Sequence, residues 1–466
     1  MPFWNREFPD LKLHDASERE RLVTTSQPRG FRIGTGASIF IDSLIPAILS
    51  ARHEVILVTC FWAPSKTLKA LHDALTELAS RRRELIQDTV ARRDSPIPPL
   101  RIRICFSSRS LLQKLFHTQS RHGYIYPPST WSKKLGLPDP KVLEAGGIQL
   151  QVKSLFFLPF SVMHPKFVIV DRRRAFVPSC NISWEAWLEA CVELTGNAVQ
   201  ELLSFYSRTW EDAHDILGTD HEENEGSERV DLGGPTDPPP SDAHHHATFR
   251  FHNPVPTLVL PSPSHRNPRF HPFPWQKGPR PPGTPLNVAV LQLLEQAERS
   301  IYIQTPNITC EPVIVALLDA LARGVHVTVV TNKNMMLLEQ LVTAGTTTSW
   351  CVRSFVRRFK KLASRGGGQA DPAQDVEVAN RTGHLRISYF RGRATEAQHL
   401  MDGHCEEPVH SHLKLTVVDG TFAVLGSGNM DRASWYTSQE LGMMFCSREF
   451  CDSIKAGLDM ALRGRA

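Results

Sequence analysis

Residues 410–429 read HSHLKLTVVDGTFAVLGSGN, a strand-like stretch that carries polar residues at fixed positions. His412 and Lys414 are two residues apart, and in a strand this spacing directs both side chains to one face. Asp419 follows the apolar run, and a Gly-Ser-x-Asn sequence closes the stretch. An edge strand with its polar residues turned to water explains one such stretch. A second copy elsewhere in the chain argues against that explanation.

A second copy lies at residues 164–181, which read HPKFVIVDRRRAFVPSCN. His164 and Lys166 each precede their counterparts, His412 and Lys414, by 248 residues. The same separation relates Asp171 to Asp419, Ser179 to Ser427, Asn181 to Asn429 and Trp187 to Trp435, while Glu193 and Glu440 are 247 residues apart. Polar residues that repeat in register are hard to attribute to two solvated edge strands, so they predict a duplicated functional site.

The flanks of both copies alternate between helix-like and strand-like segments. In residues 37–106, SLIPAILSA, EVILVTCFW, TLKALHDALTELA and LRIRICF follow one another, and LNVAVLQLLEQAE, SIYIQT, PVIVALLDALARG and VHVTVVTN repeat this order later. Such alternation is typical of an α/β fold with a mostly parallel sheet. We therefore predict two similar α/β lobes made by duplication, at residues 35–216 and 286–466.

The regions outside the two lobes differ in composition. Residues 1–34 are predicted to be an N-terminal extension, and residues 217–285 a proline-rich linker or surface excursion with a short strand at TLVLP, residues 257–261. The run His244, His245 and His246 is interpreted as a solvated loop rather than a metal site. Residues 364–383 form a second predicted insertion, rich in glycine and polar residues.

The paired HxKxxxxD motifs followed by GSxN resemble the phospholipase D superfamily, over roughly residues 35–215 and 285–460. The second copy matches fully, and the first departs at Pro178, where the family has glycine. Two copies in one chain look most like phospholipases D and cardiolipin-synthase-like phosphatidyltransferases. The resemblance implies a pseudo-twofold α/β fold with a single active site at the lobe interface, and a phosphodiester substrate.

The residue types suit phosphodiester chemistry without a metal or another cofactor. Lys166, Lys414 and the two Ser/Asn pairs (Ser179, Asn181, Ser427 and Asn429) are predicted to neutralise the phosphate oxygens in the transition state. One imidazole attacks phosphorus and forms a phosphohistidine, and the other protonates the departing alkoxide and then activates water or an alcohol.

Individual roles follow from the resemblance. It implies that His164 is the nucleophile. Each histidine needs a partner on its far nitrogen, and the resemblance assigns Glu440 to His412 and Glu193 to His164. Asp171 and Asp419 belong to the motifs, and we interpret them as braces for the turn after each strand.

Three segments bear on the substrate and leave alternatives open. Residues 350–365 predict a basic amphipathic helix that either contacts an anionic membrane or packs its apolar stripe on the second lobe. Residues 154–163 are an apolar run that either faces acyl chains or is buried. Residues 122–131 are aromatic and either cover the site, stack on bases or simply pack.

The composition fits an ordinary globular protein of 466 residues, with 41% hydrophobic and 22% charged residues and a formal net charge of +5. There is no signal-like start and no apolar run of transmembrane length, so we predict an intracellular monomer that is cytoplasmic or peripheral to a membrane. Phospholipid is the favoured substrate over nucleic acid. The alternatives are a nuclease of the same superfamily and a catalytically silent membrane-binding scaffold.

Overall fold

The computed structural model describes residues 22–93, 95–110, 123–157, 161–211, 243–263, 280–366, 382–393 and 407–466. The strands are β1 (Val23–Thr35), β2 (Glu54–Phe61), β3 (Leu100–Ser108), β4 (Tyr124–Ile125), β5 (Ile148–Ser154), β6 (Phe156–Phe157), β7 (Ser161–Val162), β8 (Phe167–Val170), β9 (Arg174–Pro178), β10 (Trp187–Thr195), β11 (His245–Thr248), β12 (Val255–Ser262), β13 (Ser300–Gln304), β14 (His326–Thr331), β15 (Leu385–Tyr389), β16 (His410–Ser411), β17 (Leu415–Val418), β18 (Phe422–Gly426) and β19 (Glu440–Cys446).

The α-helices are α1 (Gly36–Ile39), α2 (Ile45–Leu49), α3 (Lys66–Arg92), α4 (Trp131–Leu135), α5 (Pro140–Ala145), α6 (Ala198–Trp210), α7 (Pro285–Gln296), α8 (Glu311–Ala322), α9 (Leu337–Ala344), α10 (Thr348–Gly366), α11 (Arg432–Tyr436) and α12 (Arg448–Ala461). A π-helix (Phe40–Leu44) joins α1 to α2, and a 3₁₀-helix (Pro128–Thr130) precedes α4. Among these residues no helix has the length and apolar character needed to cross a bilayer.

Apart from β6 and β7, which pair with each other in a separate two-stranded ribbon, the strands form two sheets whose orders correspond. The first runs β5-β3-β2-β8-β9-β10-β1. The second runs β15-β14-β13-β17-β18-β19-β12. In each sheet the first three strands are parallel and the remaining neighbours are antiparallel. The predicted α/β fold class is confirmed.

Strand β1 joins the two sheets. Its residues 23–26 pair with β12, and its residues 27–35 pair with β10. A central hydrophobic cluster then combines residues of both halves with α6 and α12, for example Phe167 of β8 and Leu415 of β17. Two further clusters lie under α1–α5 in the first half and under α7, α8 and α10 in the second half.

The local sequence explains how the central elements begin and why they are buried. Strand β2 reads EVILVTCF and its first six residues are buried, as expected of a parallel strand that is covered on both faces. Helix α7 begins after Thr284, whose hydroxyl accepts a hydrogen bond from the amide of Asn287, and Pro285 occupies the first helical position. Strand β2 in turn pairs with β8, the strand that follows His164 in the first motif.

Two boundaries predicted from the sequence differ in the structure. The proposed N-terminal extension, residues 1–34, includes most of β1, which is part of both sheets. The proposed linker, residues 217–285, includes β11 and β12, and Leu258 and Leu260 of β12 are fully buried. The TLVLP strand therefore completes the second sheet. Residues 212–242, 264–279 and 367–381 lie outside the described residues.

Candidate active site

The two motif histidines precede equivalent strands near the middle of each sheet. His164 lies just before β8, and its amide donates to the carbonyl of Gln439 at 3.0 Å. His412 lies just before β17, and its amide donates to the carbonyl of Leu188 at 2.9 Å. The backbone of each motif is thus fixed by a residue of the other half of the chain.

The imidazoles are held by glutamates in the same crossed manner. Nδ1 of His164 is 2.8 Å from Oε2 of Glu440, and Nδ1 of His412 is 2.7 Å from Oε1 of Glu189. Because an ionised carboxylate only accepts hydrogen bonds, each Nδ1 carries the proton and Nε2 remains a free base.

The expected assignment of these glutamates is wrong. Glu440 contacts His164 rather than His412, and Glu193 contacts neither histidine. Glu193 is partly exposed and forms an ion pair with Arg174 at 2.9 Å. The partner of His412 is Glu189, four residues earlier on the same strand, β10.

The error has two causes: the expectation paired each histidine with a glutamate of its own half, whereas the pairs cross between the halves. In addition, Glu193 was taken in place of Glu189 because the repeat loses its constant spacing after Asn181. The Ser179 hydroxyl donates to Glu189, ten residues later, and the Ser427 hydroxyl donates to Glu440, thirteen residues later. The longer connection in the second half contains α11. A glutamate that follows the motif serine at the start of the next strand is the signal that would have identified Glu189.

The matched tryptophans are not structurally equivalent for the same reason. The ring of Trp187 lies 4.7 Å from the imidazole of His412, centroid to centroid. Trp435 is instead buried in α11, where its indole N–H donates to the carbonyl of Asn429. Trp187 therefore packs on a candidate catalytic group, whereas Trp435 supports the Gly-Ser-x-Asn turn.

The motif serines orient the glutamates. Each hydroxyl donates to a carboxylate at 2.5 Å, from Ser179 to Glu189 and from Ser427 to Glu440. Each hydroxyl also accepts a hydrogen bond from a backbone amide of the next strand, Ser179 from Ala190 and Ser427 from Leu441. Both serine hydroxyls therefore point at carboxylates, although we expected them to bind phosphate.

The motif lysines are buried close to the histidines. Nζ of Lys166 donates to the carbonyl of His164 at 2.7 Å, and Nζ of Lys414 donates to the carbonyl of His412 at 2.5 Å. Burial lowers the pKa of Lys414 to about 7. The positive charge of Lys166 also lowers this pKa, whereas Glu189 and Glu440 act to raise it. The site thus contains a lysine that changes charge near neutral pH.

The histidines themselves are held neutral. Burial lowers the pKa of His412 to about 3, and burial also lowers the pKa of His164. Burial acts to raise the pKa of Glu189, but His412, Lys414 and the Ser179 hydroxyl together hold it below its ordinary value. Two neutral imidazoles, each held by a glutamate, can serve as nucleophile and proton carrier.

The two asparagines have different surroundings. Oδ1 of Asn181 accepts the amide of Phe61 at 3.3 Å. Nδ2 of Asn429 donates to Oδ2 of Asp431 at 3.0 Å. Asp431 is buried, which raises its pKa, and it also caps α11 by accepting the amide of Ser434. Asp431 was not predicted, because its counterpart in the first copy is Ser183 and the repeat gives no sign of it.

The motif aspartates lie at the far ends of the motif strands from the histidines. The carboxylate of Asp171 accepts the amides of Arg52, His53 and Glu54. That of Asp419 accepts the amides of Glu298, Arg299 and Ser300. Both residues have positive φ, at 50° and 53°, in the turn after their strands. This placement matches the bracing role rather than contact with a substrate.

Each of the three segments considered for substrate binding has packed residues. Val352 and Phe355 of α10 are buried against the second half, so the apolar stripe of residues 350–365 belongs to the core. Phe156 and Met163 are buried, as are Tyr126 and Trp131. Within the described ranges, no three His, Cys, Asp or Glu side chains are arranged to hold a metal ion.

Comparison with known proteins connects this geometry to a family. Residues 290–460 match the family model described as "Cardiolipin synthase, PLD-like domain", which confirms the predicted resemblance to the phospholipase D superfamily. No curated protein matches the sequence.

Solved structures with a similar fold include phosphatidylserine synthase from Haemophilus influenzae Rd KW20. It is 12% identical, with a TM-score of 0.56, and the alignment covers 95% of this chain and 89% of that chain. Polyphosphate kinase from Porphyromonas gingivalis is 11% identical over 91% of this chain and 45% of its own, with a TM-score of 0.43. Nuc from Salmonella typhimurium, a phospholipase D family member, is 17% identical over 44% and 92% of the two chains, with a TM-score of 0.26.

Proposed function

We propose that this protein is a metal-independent phosphodiesterase or phosphatidyltransferase that acts on glycerophospholipids through a phosphohistidine. The observation that carries the proposal is the crossed pairing of His164 with Glu440 and of His412 with Glu189. It brings two oriented imidazoles and two buried lysines together from both halves of the chain.

In the first step, Nε2 of His164 attacks phosphorus and forms a P–N bond. The P–O bond to the leaving alcohol breaks, and His412 gives its Nε2 proton to the departing oxygen. His412 takes up that proton from solvent when substrate binds, because a phosphodiester anion beside the imidazole raises its pKa. Glu189 stabilises the resulting imidazolium.

In the second step, His412 removes a proton from water or from an alcohol. The oxygen attacks phosphorus, the P–N bond breaks, and the electron pair returns to His164. Water yields phosphatidic acid and an alcohol yields a new phosphodiester, so one site supports both hydrolysis and transfer.

The role of His164 as nucleophile rests on accessibility as well as on the family resemblance. Its side chain is 13% exposed, compared with 4% for His412, so phosphorus reaches it more directly. Lys166 and Lys414 stabilise the negative charge on the non-bridging oxygens, and burial strengthens their effect in the transition state.

The lipid substrate is supported by the family model that residues 290–460 match, whose description names cardiolipin synthase. The experiment is to incubate the purified protein, in EDTA, with a phospholipid and increasing concentrations of a short-chain alcohol. Phosphatidyl-alcohol should increase at the expense of phosphatidic acid, while total turnover changes little because both products share the first step.

Rapid acid quench should find phosphorus on His164. Phosphorus on His412 would reverse the two roles and keep the reaction class. Loss of turnover in EDTA, restored by Mg²⁺ or Zn²⁺, would contradict the metal-independent mechanism. Cleavage of single-stranded DNA without any exchange product or adduct would assign the protein to the nuclease alternative.

A further inference from the structure

Helix α9 exposes its apolar residues and buries a polar one. Leu337, Leu338, Leu341 and Val342 are all exposed, Leu338 to 76%, whereas Gln340 is only 3% exposed. A surface helix ordinarily turns its leucines inward and its glutamine outward. An aliphatic patch of this kind marks an interaction surface.

The buried glutamine fixes this orientation. Nε2 of Gln340 donates to Oδ1 of Asn307 at 2.9 Å and to the carbonyl of Met335 at 2.6 Å. Its Oε1 accepts both the amide and the hydroxyl of Thr348. Rolling the helix to bury the leucines would break all four hydrogen bonds and leave buried polar groups unsatisfied. The leucines are therefore held outward by the fold.

The patch lies at the same edge of the molecule as the candidate active site. Helix α9 follows the end of β14, where Asn332 binds both the amide and the carbonyl of Ser411, the neighbour of His412. Helix α9 also packs against α11, which follows Asn429 and Asp431. Helix α9 is thus linked to the site through the end of β14 and through α11.

A basic row lies on α10, which begins four residues after the end of α9. Trp350 is 57% exposed, and Arg353, Arg357, Lys360 and Lys361 follow it on the outward stripe of the helix. The opposite stripe is packed on the second half through Val352 and Phe355. Basic side chains beside exposed aliphatic and tryptophan side chains complement an anionic bilayer, which offers hydrocarbon below a layer of phosphates.

We propose that α9 and the outward row of α10 dock on an anionic phospholipid surface. The leucines of α9 enter the acyl region, Trp350 lies at the interface, and the arginines and lysines contact lipid phosphates. A lipid at this surface then has its headgroup next to His412. Only this last step, delivery of substrate, rests on the proposed function; docking itself does not.

The test is co-sedimentation of the full chain carrying His164→Ala, which prevents turnover, with two kinds of vesicle. Binding should be strong to vesicles rich in phosphatidylglycerol, weak to pure phosphatidylcholine, and reduced by salt. The double variant Leu338→Gln, Leu341→Gln should lose roughly tenfold or more in affinity, because it removes buried apolar area from the bound state. Arg357→Glu with Lys361→Glu should weaken binding to the anionic vesicles alone.

The matched control is Leu85→Gln on α3, another exposed leucine, which should bind as the parent does. Thermal melting checks that each variant is folded. Unchanged binding by the double leucine variant would overturn the proposal. So would self-association through α9 without vesicle binding, since the patch would then join two copies of the chain.

The two proposals fail in different ways. Vesicle binding without any phosphodiester exchange by the unmodified protein would leave docking intact and refute the proposed function. Turnover of short-chain phospholipids without vesicle binding would refute docking and leave the proposed function intact.

Discussion

Nδ1 of His164 lies 2.8 Å from Oε2 of Glu440, although 276 residues separate the two in the sequence. The reciprocal pair, His412 and Glu189, is 2.7 Å apart and 223 residues apart in the sequence. Each half of the chain therefore supplies an imidazole and the carboxylate that orients the imidazole of the other half.

Replacement of Glu189 by glutamine should lower turnover by roughly 100-fold, because the neutral amide no longer stabilises the His412 imidazolium. Glu193→Gln, four residues away on β10, is the matched control and should stay within about twofold, since Glu193 forms a partly exposed ion pair with Arg174 and contacts neither histidine. Steady-state kinetics of the two variants checks this. If Glu193→Gln lowered turnover more than Glu189→Gln, the original assignment of Glu193 as a histidine partner would be supported instead.

Replacement of either His164 or His412 by alanine should remove nearly all turnover, because nucleophile and proton carrier act in one reaction. The double variant should be hardly worse than either single variant, since groups that act as a unit are not additive. Single-turnover kinetics with a short-chain phospholipid measures both effects. A single variant that kept half of the parent's activity would mean that the two halves work independently.

The pKa of Lys414, lowered to about 7 by burial, should appear in the pH dependence. A lysine with a lowered pKa is charged below that value and loses its charge as the pH rises through it. We therefore expect kcat/KM to fall above about pH 7. Lys414→Arg should move this decline to higher pH, because a guanidinium stays protonated, even if the maximum rate is lower. An unchanged midpoint in the variant would assign the decline to another group.

Replacement of Asp171 by asparagine should lower the free energy of unfolding by about 2 kcal/mol, because three backbone amides lose a charged acceptor. Asp419→Asn should behave alike at its own turn. Urea denaturation measures the stability, and kcat of the folded fraction should remain near that of the parent. A large drop in kcat without loss of stability would show that the aspartate acts in catalysis.

The sequence predicted the fold class and the two motifs because both depend on local patterns. Alternating strands and helices are visible in β2, α3 and β3, and the motif residues are held at constant spacing by short strands. Glu189 was missed because α11 lengthens the connection from the motif serine to the glutamate by three residues in the second copy, so Glu193, which lies within one residue of the repeat offset from Glu440, was selected instead. A repeat defined by numbering fails where one copy contains an additional element.

Other features depend on tertiary contacts that no local pattern reveals. Residues 243–263 follow a breaker-rich segment, yet β12 closes the second sheet because its apolar residues pair with β19 and β1. The apolar stripe on α10 indicated an amphipathic helix. It did not show whether that apolar face would contact the second lobe or a membrane. The inverted orientation of α9 depends on the hydrogen bonds of one glutamine, which the sequence alone does not disclose.

The exchange of glutamates also has a consequence for protein synthesis. His164 leaves the ribosome long before Glu440, so the first half of the nascent chain exposes an imidazole that lacks its carboxylate. Likewise, the first residues of β1 cannot pair until β12 has been synthesised. The pair of His164 and Glu440 can therefore form only after the start of β19 has been translated.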